Sequence, residues 1–176
     1  MAERPIALKV LYYLMPVLMC CGIIFGLSSQ THQEQDITPW IKKEVSDKAV
    51  KTYFSGTSFN YGSQKISLKT ETSSTFIEFF IRKFAHLTIY GLLGILATRL
   101  FKALTRWAVG LNFMFSILFC AAYAISDEYH QSFIVGRTSR PADVVLDTVG
   151  AALGILVYHS VFFAVHVIRK RRTAEW

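Results

Sequence analysis

The chain has 176 residues, 52% of them hydrophobic, with a mean hydropathy of +0.35 and a formal net charge of +7. Apolar residues gathered into long blocks exclude an ordinary soluble domain, and this length suits a single domain. The basic residues stand at block ends, as in the run Arg169, Lys170, Arg171 and Arg172; they read as membrane-flanking anchors, and no nucleic-acid partner is expected.

The first block, residues 10–29, follows a head carrying Arg4 and Lys9. It is longer than the roughly 7–15 apolar residues of a signal-peptide core, so an uncleaved span is expected. Residues 30–77 are polar and are expected to form a small extracytoplasmic lobe. Within it ITPWIKKEVSDKAVKTYF has helical amphipathicity, and QKISLKTET alternates like a strand. Three further apolar blocks follow at residues 79–101, 107–126 and 143–168. Each is long enough to cross a hydrocarbon core of about 30 Å at roughly 1.5 Å per helical residue. The expected fold is an all-α membrane protein, a four-transmembrane-helix bundle with its lobe between helices 1 and 2, in one domain over residues 1–176. Cys20, Cys21 and Cys120 lie inside apolar blocks, where they read as small hydrophobes with neither disulfide nor zinc-site spacing.

Four spans put both termini on one side. The basic residues divide almost evenly between the two sides, but those at the termini and at the short link after the second span (Arg99, Lys102, Arg106) are denser and have fewer acids among them. The positive-inside rule then predicts cytoplasmic termini.

That orientation gathers polar residues at the opposite face. The first span ends in Ser28, Ser29 and Gln30, and the second begins with Arg82, Lys83, His86 and Tyr90. Lys83, His86 and Tyr90 are spaced to share one helical stripe. The third span leaves through SDEYHQSF, with Tyr123, Asp127 and His130 three and four apart and Glu128 and Gln131 beside them. A connection bearing Arg137 and Arg140 leads to Asp143 and Asp147, one turn apart at the head of the last span. An unpaired acid at the centre of a membrane helix costs about 2.5–3.5 kcal/mol. Asp147 must therefore face into the bundle towards a donor, and Arg137, Lys83 and His86 are the available partners. Arg82 reads as an interfacial snorkeller. Gly136 reads as a turn residue, and Gly150 with Gly154 as a close helix contact. Asn112, Ser116 and Cys120 read as a helix-contact seam.

The residues RKFAHLTIYGLLG and SDEYHQSFIVGRTSRPADVVLDTVGAALG resemble the VanZ-like family of small bacterial membrane proteins. Lys83 and His86 match its Lys-x-x-His, and Asp127, Glu128 and Gln131 match its Asp-Glu-x-x-Gln. Gly136 and Arg137 match its Pro-Gly-Arg turn, and Asp143 and Gly150 its last motif. Val135 stands where the family has proline, and Asp147 where asparagine is common. The resemblance implies a multi-pass protein of the bacterial cell membrane and an association with low-level resistance to the glycopeptide teicoplanin.

Two classes of function stay open. In the first, a binding protein holds an amphiphilic or lipid-linked ligand among membrane lipids, through Lys83, Tyr90, His130, Gln131, Arg137, Arg140 and Asp147. In the second, a hydrolase or transferase acts on a lipid-linked phosphate, with His86, Asp127, Glu128 and Asp143 as catalytic candidates. No cofactor is expected. A divalent ion on His86, Asp127, Glu128, His130 and Asp143 is the weaker variant, since Lys83 would repel it.

Overall fold

The computed structural model describes residues 6–105 and 107–174. Arg4 and Arg106, used above for orientation, lie outside the described residues, as does the side chain of Arg172. The elements in order are α1 (Ile6–Ser28), α2 (Thr38–Glu44), α3 (Asp47–Phe54), β1 (Ser58–Tyr61), β2 (Gln64–Ser67), α4 (Ser73–Leu104), α5 (Val109–Gln131) and α6 (Pro141–Ala174). Four of these helices, α1, α4, α5 and α6, are long and apolar enough to cross a membrane. The four-helix expectation therefore holds.

Helix ends depart from the apolar blocks. α4 starts at Ser73 instead of residue 79, capped by Thr72, whose side chain accepts the Thr75 N–H. Its first turns carry Ser73, Ser74 and Glu78, all buried, because the lobe folds over them. α5 continues past residue 126 through SDEYHQ to Gln131, with Asp127, Glu128 and Gln131 buried. Those polar residues find partners on three neighbouring elements, so the helix need not end where hydrophobicity does. α6 opens on Pro141, whose missing N–H costs nothing in a first turn.

In the lobe, the amphipathic stretch breaks at Val45 and Ser46 into α2 and α3. The strand expectation for QKISLKTET holds only over β2, which pairs antiparallel with β1, Tyr61 facing Gln64. Gly62 has φ +58° in the connecting turn, a conformation glycine adopts without a Cβ penalty.

Cross-contacts fix the bundle. Tyr90 meets Asp127 and Asn112 meets Thr98, so α4 and α5 run antiparallel. Cys21 meets Tyr123 and Ser28 meets Gln131, so α1 and α5 run parallel. Lys83 pairs with Asp143 and His86 with Asp147, so α4 and α6 also run parallel. α4 and α6 pack backbone to backbone. A Cβ on Gly94 would overlap the Ala151 carbonyl, and one on Gly154 would overlap that of Gly91. Small residues allow this approach, as the Gly150–Gly154 spacing predicts. Val17, Cys20, Ile24, Tyr90, Leu93 and Ala97 are among the buried core. Leu11, Met19, Phe84, Leu118 and Phe163 are exposed around it, as lipid-facing positions should be.

Candidate functional site

The polar residues singled out in the sequence converge where α1 ends, α4 and α6 begin, and α5 ends. Asp127, 4% exposed, accepts hydrogen bonds from Tyr90 Oη at 3.3 Å and Gln131 Nε2 at 3.1 Å. Gln131 Nε2 also reaches Ser28 Oγ at 3.1 Å, which ties α5 to the end of α1. The other face of that amide, Gln131 Oε1, accepts from Arg137 Nη1 at 3.1 Å.

Arg137 is the most connected side chain of the site. Its Nε donates to the Gln30 carbonyl at 3.1 Å and its Nη2 to the Leu27 carbonyl at 3.2 Å and to Gln35 Oε1. The guanidinium thereby caps the end of α1, sharing the Leu27 carbonyl with the Gln30 N–H and Gln35 Nε2. Gly136, at φ +78°, makes the turn that aims it. Every one of these acceptors is a neutral oxygen. Arg137 has no carboxylate within ion-pair distance among the described residues. Burial, helped by Arg82, pushes it below the ordinary arginine value, though a guanidinium there remains charged at neutral pH.

Beside this clamp lie two cross-helix pairs. Lys83 Nζ stands 2.5 Å from Asp143 Oδ1, which also accepts from Tyr61 Oη at 2.5 Å. Burial, together with the hydrogen bond to Asp143, pushes the Tyr61 phenol up and keeps it neutral. One turn deeper, His86 Nδ1 approaches Asp147 Oδ1 at 3.3 Å without the alignment of a hydrogen bond, and neither atom has another partner. Of the three partners considered for Asp147, the structure places His86 there. Glu128 turns to the loop and accepts the Arg140 N–H.

A cavity of about 210 Å³ opens over this layer, between the helix ends and the lobe. Arg82, Lys83, Arg137 and Arg140 reach it, against Glu71, Glu78 and Asp143. Arg82 is no free snorkeller, for it pairs with Glu78 at 2.7 Å and meets His32 Nδ1 at 2.9 Å.

His130 is the candidate set apart. It stacks on Phe25, centroids 4.5 Å apart, and its Nε2 lies 3.0 Å from Ser29 Oγ. It lines no part of the cavity. Asp127 and Asp147 lie beneath the cavity and not on its wall, and Tyr90 is fully buried. Among the described residues, no three His, Cys, Asp or Glu side chains gather as a metal-ligand set.

The sequence reading missed the contribution of the lobe. Tyr61, His32 and Gln35 all reach site residues, and no local pattern announces contacts that span so much chain. Glu78 was legible, standing four residues before Arg82 on one helix face.

A family model described as VanZ/LLP1 matches residues 11–164. No curated protein matches the chain, and no solved structure does.

Proposed function

The chain belongs to the VanZ/LLP1 family, and from that premise we propose that it binds an amphiphilic or lipid-linked ligand in the cell membrane of a bacterium. The ligand's polar part occupies the cavity between lobe and helix ends, on the outer face, with both chain termini cytoplasmic. The observation that carries this reading is the charge arrangement of the cavity. Arg82 and Lys83 are neutralised by Glu78 and Asp143, whereas Arg137 has only neutral acceptors and Arg140 has no ion pair among the described residues. Two guanidiniums without a carboxylate, held at a polar cavity, suit an anionic or strongly hydrogen-bonding ligand. Retention of such a ligand would alter the envelope surface that a glycopeptide meets, which accounts for the association with teicoplanin resistance.

A second reading, a hydrolase or transferase acting on a lipid-linked phosphate, draws on one specific contact. His86 lines the cavity with Asp147 3.3 Å behind it, a contact that would have to align as a hydrogen bond for Asp147 to orient a general base. Asp127 and Glu128 are engaged in hydrogen bonds to Tyr90, Gln131 and the Arg140 backbone, which leaves them supporting roles in either reading.

The test replaces His86, Asp127 and Arg137 singly, as His86→Gln, Asp127→Asn and Arg137→Gln. Membrane yield and teicoplanin tolerance are measured in a strain lacking its own homologue. Normal yield with lost tolerance is the expected result. Unchanged tolerance in all three at normal yield would sink the site. Product formation on prenyl-phosphate substrates, abolished by His86→Gln, would select the enzyme.

A further inference from the structure

A second cavity of about 300 Å³ lies between α1 and α4. Its wall is apolar over Ile24, Leu27, Ile37, Ile81, Ala85 and Ile89. Leu27 and Ile81 are 47% and 41% exposed, so it opens sideways on the helix surface that faces lipid, not towards the lobe alone. Glu78, Arg82, His86 and Arg137 line this cavity and also the polar one. The two spaces are therefore neighbours that share one wall. That wall holds Arg137, the guanidinium with no carboxylate partner.

Charge defines the polar half more narrowly. Arg82, Lys83, Arg137 and Arg140 oppose Glu71, Glu78 and Asp143 on its wall, an excess of one positive charge there with histidine neutral, while the buried carboxylates of Asp127 and Asp147 lie beneath. A phosphodiester carries a single negative charge and offers planar pairs of oxygens to a guanidinium. A diphosphate would leave charge unbalanced in a partly buried site, where an uncompensated ion is costly. Apolar space next to a cation, open to the bilayer, is the shape of a lipid with its head drawn inward.

Resting on the binding reading above, we infer that the ligand is a membrane phosphodiester lipid that enters sideways between α1 and α4, one acyl chain in the apolar cavity and its phosphate against Arg137. The chain is held by the isoleucines of both helices, and the head lies under the lobe, between Arg137 and Arg140. The remainder of the lipid stays in the bilayer.

The full chain in maltoside detergent micelles, which contain no phosphodiester, tests this with three labelled probes. Lysophosphatidylglycerol has both chain and phosphodiester, monoacylglycerol lacks the phosphate, and deacylated glycerophosphoglycerol lacks the chain. Lysophosphatidylglycerol should bind saturably at about one per chain, and the other two at least about tenfold more weakly, tenfold being about 1.4 kcal/mol. Ala85→Trp, which fills the apolar cavity, should weaken the lysolipid and leave the deacylated head unchanged. Arg137→Gln should remove the preference for the phosphodiester over monoacylglycerol. Arg140→Gln makes the same test if Arg137→Gln lowers the yield. Equal binding of the deacylated head, or no effect of Ala85→Trp, overturns the sideways route while leaving a polar binding site. Equal binding of monoacylglycerol overturns the anionic head. No saturable binding of any probe overturns the whole inference, and the tolerance assay then judges the broader reading by itself.

Discussion

Asp147 is 2% exposed, and its Oδ1 faces only His86 Nδ1. A carboxylate in that position depends on one neighbour. His86→Ala should therefore destabilise the bundle by up to about 2.5–3.5 kcal/mol, the order of an isolated acid in a membrane helix. Asp147→Asn in the same background should recover most of the loss, giving a coupling of about 0.5–3 kcal/mol. Thermal unfolding of the four proteins in detergent measures it, and additive effects would deny that the two residues act as a pair. The need for such a partner was legible in the sequence, because burial of charge demands it. Its identity was not. Arg137 was an equal candidate, but it binds the Leu27 and Gln30 carbonyls at the end of α1, a contact that arises only once α1 and the loop meet.

At the scale of elements, hydrophobic blocks found all four long helices and misplaced their polar ends. α4 gained Ser73 to Glu78 and α5 gained Asp127 to Gln131, since a helix continues through polar sequence when neighbouring elements satisfy its side chains. The Gly150–Gly154 spacing, by contrast, was read correctly as a packing seam, though its partner glycines Gly91 and Gly94 were not paired with it. Gly154 faces the Gly91 backbone so closely that no side chain fits. Gly154→Leu should force α4 and α6 apart and cost about 1–3 kcal/mol or more. A fall in monodisperse yield and in melting temperature is the measure, and an unchanged melting temperature would contradict the packing described. Gly22, on α1, has open space at its Cβ position, so Gly22→Leu serves as the matched control.

At the scale of the whole molecule, side chains tie the lobe to the bundle. Asp47 at the start of α3 accepts the Ser73 hydroxyl at the start of α4 and pairs with Lys51 at 2.7 Å. The Lys51 ammonium and then the Ser73 hydroxyl hold its carboxyl below the ordinary value of 3.8. Because the folded value is depressed, the unfolded form binds more protons in the acid range. The contribution is present above the unfolded value and is lost as pH falls through the folded one. Hydrogen exchange in α3 should therefore quicken below about pH 4 relative to the α4–α6 core. Asp47→Asn should abolish that difference; a mutant that keeps it would place the titration elsewhere. The lobe was the least legible part of the chain. Its local elements left traces in the sequence, in amphipathicity and alternation, but Tyr61 reaches Asp143 through the tertiary fold alone.

The pairing of α4 with α6 joins groups that are made far apart in the chain. Lys83 and His86 are synthesised before Asp143 and Asp147, the acids they meet across the two helices. Until the last helix arrives, those cationic and imidazole groups lack their counterparts in a solvent that penalises them. A chain that ends before Asp143 should therefore hold its second long helix in the membrane less stably than the full chain does.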